Sequence, residues 1–227
     1  MTYAVIPVKS FDAAKQRLAT FLQPHERRLL ARAMLTDTLT ACSQVPELAG
    51  VGVVTCDRQV AALAESLAAE VLWEPQAQGH TSAVTFGIAI CMQRGISTML
   101  TMPGDLPLLT PADVQAMLVP PDPWVPVVLM PSHDDLGTNA LLLSPPDCLP
   151  LAFGYDSFQR HLRLAAERQL AVEIRRLPGV ALDIDEPEDL ARFAAQRVTC
   201  QSWQALVKLG VLARLEQTFA LQTHERA

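Results

Sequence analysis

The fold class of this chain is decided by residues 51–73, which read VGVVTCDRQVAALAESLAAEVLW. The run Val51–Thr55 is short and rich in β-branched residues, which predicts a strand. The Ala-rich run Val60–Ala69 predicts a helix, and Val71–Trp73 predicts a second short strand. A strand, a helix and a strand in close succession are typical of a parallel α/β sheet.

The same alternation extends along the chain in both directions. Further strands are predicted at Tyr3–Val8, Thr98–Met102, Val127–Met130, Ala140–Leu143 and Val172–Leu177. Helices are predicted from Pro24 to about Val45, from Thr81 or Ser82 to about Arg94, from Ser157 to about Gln169, and from Pro187. We therefore expect one α/β domain over residues 1–197, with a mostly parallel central sheet flanked by helices.

Beyond residue 197 the pattern changes to a helix that is apolar over a wide arc. Its apolar residues are Trp203, Leu206, Leu209, Leu212, Leu215 and Phe219. We interpret residues 198–227 as a C-terminal helical extension. It packs either on its own domain, which is the simpler interpretation, or on a second copy of the chain in a homodimer.

The composition argues against several classes of protein. No apolar run in the 227 residues approaches a membrane span, and the N-terminus lacks the charged-then-apolar layout of a signal peptide. The five cysteines are scattered without a C-x-x-C pair, which favours a cytoplasmic, reducing compartment over disulfides or structural zinc. A net charge of −6 argues against nucleic-acid or membrane partners.

Positive charge is concentrated near the N-terminus. Residues 1–32 hold six basic and two acidic side chains, so this segment carries +4 and the rest of the chain −10. Lys9, Lys15 and Arg17 lie in an irregular loop predicted after the first strand, where they can bind the oxygens of a triphosphate. Neither a P-loop nor G-x-G-x-x-G occurs, which excludes the commonest ATPase and dinucleotide sites.

Acidic side chains also fall where ligands bind α/β sheets, beyond the carboxyl ends of strands. Asp105 follows a predicted apolar strand and lies between two prolines. One such carboxylate suits Mg²⁺, which prefers one or two carboxylates plus phosphate oxygens and water. Asp183 and Asp185 are two residues apart in an extended segment, so both can converge on one cation. Glu188 and Asp189 follow Pro187 and are explained by a helix start, where proline and acidic side chains are both favoured.

Two more segments offer hydrogen-bond donors to an anion. In residues 153–158, FGYDSF, Gly154 permits a tight turn and Ser157 is predicted to cap the next helix. The exposed N–H groups of that helix favour a phosphate or a carboxylate. Residues 137–139, GTN, add a hydroxyl and an amide. His161, within the predicted helix, is interpreted as a packing residue.

In chain order, the motifs VIPVK, KQRL, MPGDLPL, GTNAL, FGYDSF and DIDEPEDL resemble one family over about residues 3–193. They are similar to the guanylyltransferases that make the phosphodiester precursor of the deazaflavin coenzyme F-420. GTNAL followed by F-G-x-x-S-F is the most specific part of the resemblance. The first and last motifs also occur in other nucleotidyltransferases, including molybdenum-cofactor enzymes.

The resemblance implies a Rossmann-like, GT-A-like nucleotidyltransferase fold that uses GTP and Mg²⁺, with Mn²⁺ as the alternative ion. It also implies that Lys9, Lys15 and Arg17 meet the nucleotide phosphates, and that Asp105 binds the metal. The phosphorylated acid acceptor would be held by Thr138, Gly154 and Ser157. One segment departs from the family, which often has Gly-Leu-Asn where this chain has GHTS at residues 79–82. The hydroxyls of Thr81 and Ser82 can still hydrogen-bond to the nucleotide.

The predicted reaction is attack by an acceptor phosphate oxygen on the α-phosphorus of GTP, with release of pyrophosphate. Three acids fit it: 3-phospho-D-glycerate, 2-phospho-L-lactate and phosphoenolpyruvate. Polar groups at His80, Thr81 and His133 favour 3-phosphoglycerate, which carries a free hydroxyl. Alternatives are a molybdenum-cofactor nucleotidyltransferase, a glycosyltransferase using the D-x-D run at residues 183–185, and a nucleotide-binding regulator without catalysis.

Overall fold

The computed structural model describes the backbone of residues 1–224 and the side chains of residues 1–218. The strands are β1 (Thr2–Pro7), β2 (Leu48–Thr55), β3 (Glu70–Trp73), β4 (Thr98–Thr101), β5 (Val127–Pro131), β6 (Thr138–Leu143) and β7 (Val172–Ile174). The helices are α1 (Pro24–Ser43), α2 (Arg58–Ser66), α3 (His80–Gln93), α4 (Pro111–Leu118), α5 (Ser157–Glu167), α6 (Pro178–Ala181), α7 (Pro187–Ala195), α8 (Gln201–Lys208) and α9 (Val211–His224). A 3-10 helix spans Gln16–Thr20.

The strands form one sheet in the order β3-β2-β1-β4-β6-β5-β7. All neighbouring strands pair in parallel except β6, which runs antiparallel to both β4 and β5. The prediction of a mostly parallel α/β sheet flanked by helices is confirmed. Because β6 is reversed, its first residue, Thr138, lies at the edge where the other strands end. The segments after β1 and β4 therefore meet the start of β6 at one edge.

Alternate strand residues pack on opposite faces of the sheet. Val53 and Val128 are buried on the face covered by α1, α2, α4 and α6 to α9. Their chain neighbours Val54 and Leu129 are buried on the face covered by α3 and α5. These two apolar layers leave the polar segments of the chain to the carboxyl edge of the sheet. Within residues 1–224, no helix combines the length and the apolar character needed to cross a bilayer.

One helix starts earlier than predicted, and one helix was not predicted. Helix α3 begins at His80, earlier than the predicted cap at Thr81 or Ser82, because Gly79 at φ +111° serves as the N-cap. Helix α4 was not predicted, although its start carries a clear signal. The Thr110 side chain accepts a hydrogen bond from the N–H of Asp113, whose side chain accepts one in return from the N–H of Thr110.

The C-terminal extension contains two helices rather than the single helix predicted, because Gly210 at φ +65° ends α8 and α9 begins after it. Helix α8 packs on α1 of the same chain. The Asp37 carboxylate on α1 accepts hydrogen bonds from the N–H groups of Gln201 and Ser202, both at 2.8 Å, and from the Ser202 hydroxyl at 2.6 Å.

The apolar arc of the extension is buried against its own domain. Leu206, Val211 and Leu215 are all at most 4% exposed, and the Trp203 ring contacts Phe193 on α7. Phe219, which the sequence assigned to the same arc, lies outside the described side chains. Packing on the chain's own domain is therefore what the structure shows, and a homodimer stays a prediction.

We expect Asp37→Asn to lower the free energy of unfolding by about 1–3 kcal/mol, because an amide cannot replace a carboxylate that accepts three hydrogen bonds at a helix start. Urea unfolding followed by circular dichroism measures the change. Asp147→Asn is the matched control, since Asp147 is exposed in a loop. Equal stability of both variants and the wild type would show that Asp37 does not hold α8.

Candidate active site

Lys15 lies at the centre of a carboxylate cluster at the carboxyl edge of the sheet. Its ammonium group forms ion pairs with Asp105, which follows β4, and with Asp185, at 3.0 Å, which precedes α7. The Lys15 side chain is only 6% exposed. Burial alone would lower the pKa of Lys15. The negative charges of Asp105 and Asp185 outweigh this effect, and the pKa of Lys15 is raised. The cluster therefore contains a buried ammonium group that is charged near neutral pH.

Asp183 belongs to the same cluster. Ile184 is buried in the core, which turns Asp183 and Asp185 the other way, towards the cluster. The Asn139 amide donates to Asp183 Oδ1 at 3.1 Å and also to the carbonyls that precede it in α6. Burial, and then the charges of Asp105 and Asp185, raise the pKa of Asp183 to about 6. Like charges therefore face one another here.

This cluster suits a divalent cation. Asp105 Oδ1 is buried and has no hydrogen-bond partner among the described residues. A cation would also relieve the repulsion among Asp105, Asp183 and Asp185. Among the side chains that the structure describes, no group of three or more His, Cys, Asp or Glu residues is arranged to hold a metal ion by itself. Mg²⁺ commonly takes its remaining ligands from phosphates and water, so these residues fit an ion that arrives with a triphosphate.

We expect Asp183→Asn to stabilise the metal-free protein at neutral pH by about 1–3 kcal/mol, because it removes a crowded negative charge. An asparagine can still accept the hydrogen bond from Asn139. The folded-state pKa of Asp183, about 6, exceeds its usual 3.8, so the wild type loses stability as pH rises through this window. Thermal unfolding from acid to neutral pH tests this, and no gain at neutral pH would contradict it.

Two exposed basic residues flank the cluster. Arg17 is 70% exposed, and its guanidinium lies 3.5 Å from Glu186. Lys9 is exposed in the segment after β1, where its carbonyl accepts a hydrogen bond from the Thr55 hydroxyl at 3.2 Å. The loop predicted as irregular ends in the 3-10 helix, which contains Arg17. Lys15 is the N-cap of that helix, at φ +54°. Both side chains are exposed to solvent, where a phosphate can approach them.

A second cluster forms on the α5 side of the same edge. The N–H of Thr138 donates to Ser157 Oγ at 2.9 Å, and Thr138 Oγ1 lies 3.0 Å from His161 Nδ1. All three residues are at most 7% exposed. Gly154 lies in the turn before α5 at φ +110°, a backbone conformation that favours glycine. Thr138, Gly154 and Ser157 are thus placed around the start of one helix.

Ser157 does not cap that helix, contrary to the prediction. The N-cap is Asp156, in a left-handed conformation at φ +55° and without a side-chain capping bond. Its carboxylate lies 3.7 Å from the guanidinium of Arg163 instead. Ser157 is the first residue of α5, and its hydroxyl bonds to the backbone of Thr138 on β6. The hydroxyl therefore joins α5 to the sheet.

His80 and Phe153 lie between the two clusters. The His80 ring contacts the Phe153 ring, with centroids 4.4 Å apart, and Phe153 contacts His161 at 5.1 Å. Burial lowers the pKa of His80 to about 4, against the opposing charge of Asp105, so the ring is neutral near neutral pH. Thr81 and Ser82 follow in the first turn of α3 and are partly buried. Their contact with a nucleotide stays a prediction.

His133 lies apart from this arrangement. It lines a cavity of about 320 Å³ together with Asp135 and Arg176, and neither Thr138 nor Ser157 borders that cavity. The N–H of His133 donates to the carbonyl of Ala181, the last residue of α6, at 2.8 Å. The structure therefore places His80, but not His133, beside the second cluster.

Sequence analysis missed the part that His161 plays in this site. It is buried, as a packing residue is, but both ring nitrogens also form hydrogen bonds, one to Thr138 and one to the N–H of Ala152. A signal was available, because Ser157 and His161 are four residues apart and so lie on one face of a helix. The role of Asn139 in holding Asp183 had no such signal, since their contact joins distant segments.

Comparison with known families decides the kind of protein. A family model described as "Guanylyl transferase CofC like" matches residues 2–225. The chain belongs to this family. The match includes α8 and α9, which the motifs alone had left outside the resemblance.

Curated relatives of the chain are named as guanylyltransferases. A phosphoenolpyruvate guanylyltransferase of Conexibacter woesei is 43% identical over 192 residues, which cover 83% of this chain and 85% of the relative. One from Rubrobacter xylanophilus is 39% identical, covering 85% and 93%. A 3-phospho-D-glycerate guanylyltransferase of Colwellia psychrerythraea is 34% identical, covering 85% and 91%. The chain is therefore a nucleotidyltransferase of the guanylyltransferase type.

Solved structures show the same fold at low sequence identity. A structure from Desulfovibrio desulfuricans, named as a nucleotide-diphospho-sugar transferase, has a TM-score of 0.75 and 16% identity, covering 94% of this chain and 96% of its own. A nucleotidyltransferase from Methanothermobacter thermautotrophicus has a TM-score of 0.59 and 17% identity, covering 85% and 95%. These neighbours confirm the predicted Rossmann-like nucleotidyltransferase fold.

Proposed function

We propose that this protein transfers GMP from GTP to a phosphorylated three-carbon acid and releases pyrophosphate. One observation carries the proposal: two clusters of different chemistry meet at one edge of the sheet. The Lys15 cluster, with its carboxylates, suits a triphosphate that brings a cation. The cluster of Thr138, Ser157 and the start of α5 suits a second, smaller anion. His80 lies close enough to Asp105 to be affected by its charge, and its ring contacts Phe153, which in turn contacts His161 of the second cluster.

The proposed chemistry needs no general base. A phosphate monoester has a second pKa of about 6, so the attacking oxygen is already ionised near neutral pH. A bond forms between that oxygen and the α-phosphorus of GTP, and the bond from the α-phosphorus to the pyrophosphate oxygen breaks. Both histidines near the site are neutral at that pH, because burial holds the pKa values of His80 and His161 at about 4.

The protein's main task is to bring two anions together. Lys15 supplies a buried positive charge, and Lys9 and Arg17 can turn towards the phosphates of the nucleotide. Asp105, with Asp183 or Asp185, would hold Mg²⁺ or Mn²⁺. When bound, such an ion would neutralise part of the charge on the triphosphate and on the departing pyrophosphate. The preference for GTP rests on the family alone.

Phosphoenolpyruvate is the acceptor we place first. The relatives at 43% and 39% identity carry that name, whereas the one named for 3-phosphoglycerate is 34% identical. The sequence-based preference for 3-phosphoglycerate rested on three polar residues. His80 and Thr81 lie on α3, but His133 lines a separate cavity. We keep 3-phosphoglycerate, which the sequence favoured, as the second candidate and 2-phospho-L-lactate as the third. Each product would be a phosphodiester precursor of coenzyme F-420.

Pyrophosphate release tests this proposal. GTP, ATP, CTP and UTP are each combined with phosphoenolpyruvate, 3-phosphoglycerate or 2-phospho-L-lactate in the presence of Mg²⁺. We expect release with GTP and one of the three acids, and not with GTP alone. Equal use of other nucleotides would favour a broader nucleotidyltransferase. Release with none of the acids would favour a molybdenum-cofactor type acceptor, a D-x-D glycosyltransferase or a regulator without catalysis.

A further inference from the structure

Both nitrogens of the His161 ring have hydrogen-bond partners, and these partners fix the position of the ring hydrogen. The N–H of Ala152 donates to Nε2 at 3.0 Å, and Nδ1 lies 3.0 Å from Thr138 Oγ1. A neutral imidazole has one donor nitrogen and one acceptor nitrogen. Because a backbone N–H can only donate, Nε2 is the acceptor. The hydrogen is therefore on Nδ1 and is donated to Thr138.

The ring is also held in its neutral form. His161 is fully buried, at 0% exposed. Burial first, and then the positive charge of Arg160 and the proximity of His80, lower the pKa of His161 to about 4. Near neutral pH the ring therefore has a single hydrogen, and the contacts of the preceding paragraph place it on Nδ1. The tautomer is set by the fold rather than by a ligand.

This tautomer determines what the Thr138 hydroxyl can do. A threonine hydroxyl has one hydrogen to donate and two lone pairs to accept with. Thr138 Oγ1 accepts from His161, and Ser157 Oγ accepts from the N–H of Thr138. Neither hydroxyl donates to a protein acceptor among the described side chains. Both hydroxyl hydrogens are therefore available to a ligand that only accepts hydrogen bonds, such as an ionised carboxylate or phosphate.

We propose that His161 is a positioning residue for the acceptor acid, and that it acts by making the Thr138 hydroxyl a donor to an anionic oxygen. This inference rests on the proposed function, in which the acid binds at Thr138, Gly154 and Ser157. His161 does not touch the acid in this account. Without the Nδ1–H bond, the Thr138 hydroxyl can turn its lone pairs towards the ligand, and a lone pair repels an anion.

Two substitutions separate the bonds that His161 forms. The amide of asparagine reaches about as far as Nδ1, so His161→Asn can keep the donor to Thr138 but loses the acceptor for Ala152. The longer glutamine reaches about as far as Nε2, so His161→Gln keeps the acceptor and loses the donor. We expect His161→Gln to raise the KM for the acid roughly 10–100-fold, which corresponds to the free energy of one lost hydrogen bond to a charged group. The KM for GTP and kcat should change little, and His161→Asn should stay close to the wild type.

Thr138→Val provides the matching control. If His161 acts through the Thr138 hydroxyl, His161→Gln should add no further rise in the KM for the acid in a Thr138→Val background. Equal losses in the asparagine and glutamine variants, or an equal rise in the KM for GTP, would overturn the proposal in favour of simple packing. Circular dichroism confirms that each compared variant is folded.

Nitrogen NMR of the wild-type protein with labelled histidine tests the inference without any turnover. We expect the hydrogen of His161 on Nδ1 near neutral pH, and a hydrogen on Nε2 would overturn the proposal. Turnover assays of the wild type and of His161→Gln separate the two ideas. If the wild type makes no guanylylated acid, the proposed function fails whatever the tautomer is. If it makes the product but His161→Gln binds the acid normally, only the role of His161 fails.

Discussion

Replacing Asp105 with asparagine is expected to lower kcat by roughly 10²–10³-fold or more, the usual cost of removing a group that stabilises charge during reaction. Asp105 forms an ion pair with Lys15 and has a buried oxygen, Oδ1, without a partner among the described residues. It lies four residues beyond the end of β4, at the carboxyl edge of the sheet. Asparagine has nearly the same shape, and the fold should therefore survive. Steady-state kinetics at saturating Mg²⁺ and GTP measure the effect.

Asp57→Asn is the matched control for this variant. Asp57 also follows a strand at the same edge of the sheet, but its carboxylate caps α2 by accepting from the N–H groups of Gln59 and Val60. Asparagine is about as good an N-cap as aspartate, so we expect turnover close to that of the wild type. Wild-type turnover by Asp105→Asn under the same conditions would remove Asp105 from the reaction.

Replacing Lys15 with methionine is expected to lower kcat by about 10²-fold or more, because a buried positive charge next to the triphosphate is lost. The change also leaves Asp105 and Asp185 without their shared partner. Asp185 is 48% exposed, so water offsets part of this cost, and we expect a loss of about 1–3 kcal/mol in stability. Added Mg²⁺ or Mn²⁺ should restore more stability to this variant than it adds to the wild type, since the ion can take the place of the ammonium group.

Lys208→Met serves as the control for the same chemical change. Lys208 is exposed near the end of α8, remote in sequence from the cluster. Its turnover and its thermal response to Mg²⁺ should match those of the wild type. Full turnover by Lys15→Met would show that Lys15 does not contribute to catalysis. If Mg²⁺ stabilised this variant no more than the wild type, the ion would not bind in place of the ammonium group.

The elements with a strong local signal were predictable from sequence. Apolar strands of the parallel sheet and the helices at Pro24 and Pro187 follow from periodicity and from proline at a helix start. The family and its nucleotidyltransferase fold followed from motifs spread over most of the chain. Asp183 and Asp185 were expected on one side of their segment from their spacing, and the structure places both beside Asp105.

What could not be predicted depends on contacts between distant segments. Lys15 was expected to meet phosphates, and its ion pairs to acids 90 and 170 residues away are visible only in the folded chain. Ser157 was read as a helix cap because serine commonly has that role, but the neighbouring strand supplies a better partner in the N–H of Thr138. The separation of His133 from the second cluster likewise depends on how β5 and α6 pack.

The most direct test follows the α-phosphorus of GTP. GTP labelled at the α-phosphate is incubated with the protein, Mg²⁺ and phosphoenolpyruvate, and the products are separated and weighed by mass spectrometry. If the protein transfers GMP, the label appears in an adduct of GMP with the acid, in equal amount to the pyrophosphate released. Label found only in GDP, GMP or unreacted GTP, with each of the three phosphorylated acids, would contradict the proposed function.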